Sequence, residues 1–184
     1  MKIEAIETKY NGVYYRSRLE ARWAIFFDEI GLPSEYEIMG MSFGDIRYLP
    51  DFFLPFDNVH VEIKPENISE KEESRLAALK DIWKNENVSG DFMIIRGVPA
   101  FGQYAIEFAG DIGTAYVFAK CRRCNGIGYL GDSGEWGYIG PHTCGDHERA
   151  PIYDDESIKA AHEKAMRTKF DHLPYKRPGK DGER

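Results

Sequence analysis

Tyr48-Leu49-Pro50-Asp51-Phe52-Phe53-Leu54-Pro55-Phe56-Asp57-Asn58-Val59-His60-Val61-Glu62-Ile63-Lys64 is the stretch on which the fold of this chain turns. Its second half alternates Val59, Val61 and Ile63 against His60, Glu62 and Lys64, the period of a strand with one apolar face. If residues 55–58 close a four-residue turn, Leu54 faces Val59, and stepping back along the ladder sets Asp51 opposite Glu62. Directly opposed residues have Cβ atoms about 4.5–5.5 Å apart, where two carboxylates repel; solvent-facing acids are normally set opposite bases instead. Such a pair needs a cation or a shared proton. A hard divalent ion, Mg²⁺ or Mn²⁺, takes carboxylate oxygens and keeps waters for a substrate phosphate. Lys64, two residues past Glu62, shares its face and is placed to orient a water or to neutralise charge developing on a phosphodiester. The plainer alternative is the polar outer face of a half-buried hairpin.

Working outward, Ser17-Arg18-Leu19-Glu20 opens a helix with Ser17 as N-cap and Leu19, Trp23, Phe26, Phe27 and Ile30 as its buried stripe, stopped by Gly31-Leu32-Pro33. Glu20 lies at the edge of that stripe. It reads either as the capping-box acid or as a further acid reaching a metal above the sheet. Extended segments are expected at 35–39, 48–54 and 59–64. A second capped helix runs from Ser69 to about Asn85, and strands follow at 92–96, 104–108 and 114–119. The element order gives an α/β protein with a central mixed sheet flanked by helices. Residues 1–119 form the body, 120–148 a glycine-rich appendage with all three cysteines, 149–172 a final helix packing on the body, and 173–184 a basic tail.

These residues resemble the PD-(D/E)xK nuclease superfamily: Pro50-Asp51, ten residues, then Glu62-Ile63-Lys64, preceded by the helical Glu20. The flanking Tyr15-Arg16-Ser17-Arg18-Leu19-Glu20-Ala21-Arg22-Trp23-Ala24 and Arg47-Tyr48-Leu49-Pro50-Asp51-Phe52 look like small phage-type and transposon-type members. The resemblance covers roughly residues 15–100. It implies a restriction-endonuclease-like fold and Mg²⁺-dependent hydrolysis of DNA phosphodiesters. It further implies Asp51 and Glu62 as metal ligands, Glu20 as a further metal-site acid and Lys64 as the residue that orients or activates water. Pro65 departs from members in which Gly or a polar residue follows the lysine. The same superfamily holds restriction, repair, junction-resolving and transposon-end nucleases, so the resemblance leaves the substrate structure open. Cutting both strands with one site per chain calls for a homodimer, sequential nicking, or a partner nuclease or recombination subunit.

Cys121-Arg122-Arg123-Cys124, followed after nineteen residues by Cys144-Gly145-Asp146-His147, has the spacing of a zinc ribbon, with His142 competing for the fourth position. Three cysteines in a cytosolic protein argue against a disulfide framework. Structural Zn²⁺ is the expected occupant and an iron–sulfur cluster the minor alternative.

Hydrophobic residues make up 42% and charged residues 30%, the profile of a folded protein. No apolar run of about eighteen residues could span a bilayer, and the acidic start at Glu4 and Glu7 does not match a signal peptide, so a cytoplasmic protein is expected. The net charge of −7 is uneven. Residues 31–118 hold fifteen acids against seven bases, whereas residues 159–184 hold eight bases against four acids. A metal site accounts for part of the central acidity; a solvated acidic surface is the plain alternative. Lys120, Arg122 and Arg123, with Lys169, Lys176, Arg177 and Lys180, are candidate phosphate contacts. Two functions follow from these features: a metal-dependent endonuclease, or a non-catalytic binder of nucleic acid or protein built on a nuclease-like body.

Overall fold

The computed structural model describes residues 5–86, 88–110, 114–132, 134, 136–139 and 152–170. The chain opens with a hairpin, β1 (Thr8–Tyr10) and β2 (Val13–Tyr15), turned by Asn11 and Gly12 at φ 46° and 83°. Both turn residues are left-handed, as a two-residue turn matched to strand twist requires. Asn-Gly was the local signal for this hairpin, which was not among the expected elements. Helix α1 (Arg18–Ile30) follows. The Ser17 hydroxyl accepts the Glu20 N–H at its start, and Gly31 at φ 70° ends it.

Where one strand was expected over 35–39, only β3 (Glu35–Tyr36) forms, because Glu37 takes a left-handed φ of 48° and turns the chain. A second unanticipated hairpin, β4 (Met41–Phe43) and β5 (Ile46–Tyr48), comes next. The strand expected over 48–54 is likewise broken: β5 ends at Tyr48, and β6 covers only Phe52–Leu54. Pro50 lies in the gap, and having no N–H it cannot extend a ladder. Strand β7 (Val59–Lys64), helix α2 (Glu70–Asn85, with a full capping box at Ser69 and Glu72) and strand β8 (Asp91–Gly97) form a parallel β–α–β unit. Strands β9 (Tyr104–Phe108), β10 (Tyr116–Lys120), β11 (Ile127–Gly131) and β12 (Trp136–Tyr138) extend the sheet antiparallel. Helix α3 (Glu156–Arg167), capped by Asp155, lies within the 149–172 stretch expected to hold the final helix.

Among the described residues the main sheet has eight strands in the order β12-β11-β10-β9-β8-β7-β6-β3. It is mixed, since β7 and β8 run parallel and the other pairs antiparallel. The α/β class with a mixed sheet and helices is thus present. Strands β11 and β12 pair onto the edge of this sheet, with Ile127 and Ile139 in the main core, and no zinc ribbon is seen among the described residues. Cys144, His147 and His142 lie outside them.

Alternation along β8 shows how the sheet is covered. Met93 and Ile95 pack with α1 and α3 on one face, while Phe92 and Ile94 pack with Leu76, Leu79 and Trp83 of α2 on the other. In α1, Trp23 is fully buried against Phe26, Phe27, Tyr104 and Phe118, and its Nε1–H donates to the Gly97 carbonyl at 3.1 Å. Helix α3 is held to α1 by Arg22, whose guanidinium donates to the Ala165 and Met166 carbonyls at its C-terminal end. In β7, Val59, Val61 and Ile63 join the α1 side. His60, Glu62 and Lys64 therefore face the α2 side, where the β4–β5 hairpin also packs through Met41 and Phe43.

Candidate active site

The register of the carboxylate hairpin is as read from sequence: Leu54 pairs with Val59, Phe53 with His60 and Phe52 with Val61. The ladder stops one step short of the expected Asp51–Glu62 pair. Asp51 itself has left the ladder, and its side chain makes the connection instead, Oδ2 accepting the Ile63 N–H at 2.7 Å. Asp51 and Glu62 are both buried, 2% and 8% exposed. They line one cavity of about 860 Å³, shared with Arg16, Glu20, Arg47, Tyr48, Lys64 and Arg75 among others. The hairpin β4–β5 forms one wall through Met41, Ser42 and Arg47, and α2 contributes Arg75.

Each acid in the cavity has partners. Asp51 Oδ1 accepts from the Arg16 guanidinium at 2.5 Å. Glu62 Oε2 accepts from the Tyr48 hydroxyl at 2.7 Å, and Oε1 pairs with the Lys64 ammonium. Glu20 does more than close the helix cap. Its Oε1 accepts from the Ser17 hydroxyl at 2.7 Å, while its Oε2 accepts from the Tyr36 hydroxyl at 2.5 Å and the Arg16 N–H at 3.1 Å. Glu20 is 8% exposed, lines the cavity and acts electrostatically on Asp51.

The charges are under tension. Burial, then the Glu62 carboxylate and then that of Glu20 push the Asp51 carboxyl well above the usual carboxylate range, against the opposing pull of Lys64 and the Ile63 N–H. Burial, reinforced by the Glu62 charge and hydrogen bond, likewise raises the Tyr48 phenol, which stays a neutral donor at any ordinary pH. For Arg16, burial alone would weaken the charged form, but Asp51 and Glu37 outweigh it and the guanidinium is held charged.

Among the described residues, no three or more His, Cys, Asp and Glu side chains converge on a point where a metal would sit. The reason is visible in the contacts: Asp51 is turned to Arg16 and Glu62 to Tyr48 and Lys64. The donor set nonetheless fits a hard divalent cation. Two buried carboxylates share one face, and their mutual repulsion is what an added positive charge would relieve. Among the described residues, Arg16 on Asp51 and Lys64 on Glu62 now supply the positive charge, and the Arg16 side chain is 44% exposed.

Asp51, Glu62, Lys64 and Glu20 are thus brought to one cavity. His60 is not; it is buried between Phe53 and Trp83. Arg16, Tyr48, Tyr36 and Arg75 line or buttress the cavity and were not anticipated as site residues. Arg16-Ser17 and Arg47-Tyr48 stand inside the family-like stretches, but what they touch depends on the turn at Glu37 and on the packing of the β4–β5 hairpin. At the other candidate metal site, Cys121 is buried and Cys124 half-buried in a tight turn, with the Arg123 N–H on Cys121 Sγ at 3.4 Å and Asn125 at φ 59°. Compared with known proteins, the chain matches no family model, no curated protein and no solved structure.

Proposed function

We propose that the chain is a metal-dependent DNA endonuclease of the PD-(D/E)xK type. The observation that carries this reading is the burial of Asp51 and Glu62 on one face of one open cavity with Lys64 beside them. Asp51 and Glu62 would hold Mg²⁺ or Mn²⁺, which when bound polarises a phosphoryl oxygen and a water. Hydrolysis adds the water oxygen to phosphorus, breaks the bond to the leaving sugar oxygen and leaves a proton on that oxygen. Lys64 would orient the water or meet the charge that develops on the phosphate. Tyr48 and Glu20 are positioning residues, the first holding Glu62 and the second holding the backbone at Arg16, just ahead of α1.

An anionic substrate also suits the rim. Although the chain is acidic overall, this cavity is lined by Arg16, Arg47, Lys64 and Arg75 against three acids. Arg47 and Arg75 are exposed and, among the described residues, have no carboxylate partner, so they are available to backbone phosphates. The Cys121–Cys124 turn supports a structural Zn²⁺ completed by Cys144 and His147.

The test is incubation of the purified protein with supercoiled plasmid and with a four-way DNA junction, with and without Mg²⁺ or Mn²⁺. Metal-dependent cleavage that disappears in Asp51→Asn and Lys64→Ala is expected. The Arg16–Asp51 and Lys64–Glu62 pairs are equally suited to a stable, non-catalytic ion-pair network. DNA or protein binding without cleavage, unchanged by Lys64→Ala, would establish that binding role and end the enzymatic reading.

A further inference from the structure

We infer that Arg16 is a built-in competitor of the catalytic cation, and that a nucleic-acid phosphate releases it, so that metal and DNA bind the cavity with positive coupling. The inference rests on the nuclease reading above and deepens it.

Four features lead there. Arg16 is the cation on Asp51 Oδ1, at 2.5 Å, so it occupies the charge position that a divalent ion would take. Its backbone is fixed, the N–H being shared by Tyr36 Oη at 2.9 Å and Glu20 Oε2 at 3.1 Å, so movement is confined to the side chain. That side chain is 44% exposed, whereas the carboxylate it covers is 4% exposed, so only one partner of the pair can withdraw. Finally, Arg16 has a second anchor: its Nε pairs with Glu37. Glu37 is held at a left-handed φ of 48° by its own N–H donating to the Asp51 carbonyl at 3.1 Å, a costly conformation for a residue with a side chain. Glu37 therefore remains a carboxylate partner for the guanidinium when it leaves Asp51.

The electrostatics give the coupling its sign. A guanidinium and a divalent cation on one buried carboxylate repel strongly, so the ion binds only as Arg16 turns outward. Turned outward, Arg16 joins Arg47 and Arg75 in a cavity lining open to a phosphodiester, to which its planar fork can bond in a bidentate manner. A phosphate that draws Arg16 off Asp51 uncovers the metal ligand, and a metal that displaces Arg16 prepares a phosphate contact. By linkage, each ligand must strengthen the other by the same factor.

The experiment is calorimetric titration of the full chain with Ca²⁺, a hard cation taken by carboxylate oxygens, alone and with a saturating short DNA duplex. Wild type should bind Ca²⁺ more tightly with DNA, within the roughly 5–150-fold range usual for coupled sites. Arg16→Met should bind Ca²⁺ more tightly than wild type without DNA and gain less than wild type when DNA is added, the remaining gain coming from direct contact between cation and phosphate. Arg16→Lys keeps a positive charge and should stay near wild type, which separates competition by charge from a lost structural contact; thermal melts confirm that the variants are folded. If wild type binds Ca²⁺ but Arg16→Met binds no more tightly, or if DNA still tightens Ca²⁺ binding to Arg16→Met as much as to wild type, the competitor role is wrong and the nuclease reading stands. If neither wild type nor Arg16→Met binds Ca²⁺, with or without DNA, both fail.

Discussion

Replacing Tyr48 by Phe removes one oxygen from the wall of the cavity and leaves the ring in place against Trp83 and Phe92. The lost contact is the hydroxyl's hydrogen bond to Glu62 Oε2 at 2.7 Å, between residues 4% and 8% exposed, so little water is at hand to replace it. A hydrogen bond to a charged group contributes about 1.5–3 kcal/mol, and burial of both partners places this one near the middle of that range, about 2 kcal/mol. For a chain of this size that corresponds to a fall of about 4–8 °C in Tm. Because Tyr48 also packs in the α2-side core, the contact is isolated by a double-mutant cycle, with Tyr48→Phe, Glu62→Leu and the double variant compared by urea denaturation. The coupling should be about 1.5–3 kcal/mol. In Tyr48→Phe, the proposed DNA cleavage should fall roughly 10–100-fold, the usual cost of losing a partner that orients a residue proposed to hold metal. A coupling below about 0.5 kcal/mol would show that Tyr48 does not hold Glu62, and the positioning role given to it would be withdrawn.

Three further outcomes are expected. Because folding raises the Asp51 carboxyl, the native chain holds more protons than the unfolded chain from the usual carboxylate range up to that raised value, so this group's contribution falls as pH rises through the window. Buried His60 and His162 have lowered pKa values and act in the opposite direction, but only below about pH 6.5. Urea midpoints measured in chelator should therefore decline above about pH 6.5, and Mg²⁺ should flatten that decline; midpoints that rise there would contradict the assignment. Arg47→Ala and Arg75→Ala should each weaken DNA binding at low salt and reduce the log–log salt slope by about 1, read by fluorescence anisotropy across a salt series; an unchanged slope would remove that residue from the phosphate path. Gly90→Ala should destabilise the start of β8, because φ is 85° and a Cβ would meet the Asn58 carbonyl oxygen at 2.0 Å; a Tm equal to that of wild type would count against the described path from α2 into β8.

The elements legible in the sequence were those governed by local chemistry. Ser17 and Gly31 bracket α1, Ser69 and Glu72 start α2, and the alternation from Val59 to Lys64 with its four-residue turn sets the register of Leu54, Phe53 and Phe52 on Val59, His60 and Val61. Apolar period and cap spacing report which face is buried and where a helix stops, and those features need no distant partner. Tertiary structure decided the rest. Tyr48 reaches Glu62, and Arg75 reaches the cavity, because a hairpin and a helix distant from each other along the chain pack on the same face of the sheet. Arg16 covers Asp51 from thirty-five residues away because Glu37 turns the chain left-handed beside it. Residue type and periodicity identify which carboxylates are buried together; which cation neutralises them depends on long-range packing, and no local pattern encodes it.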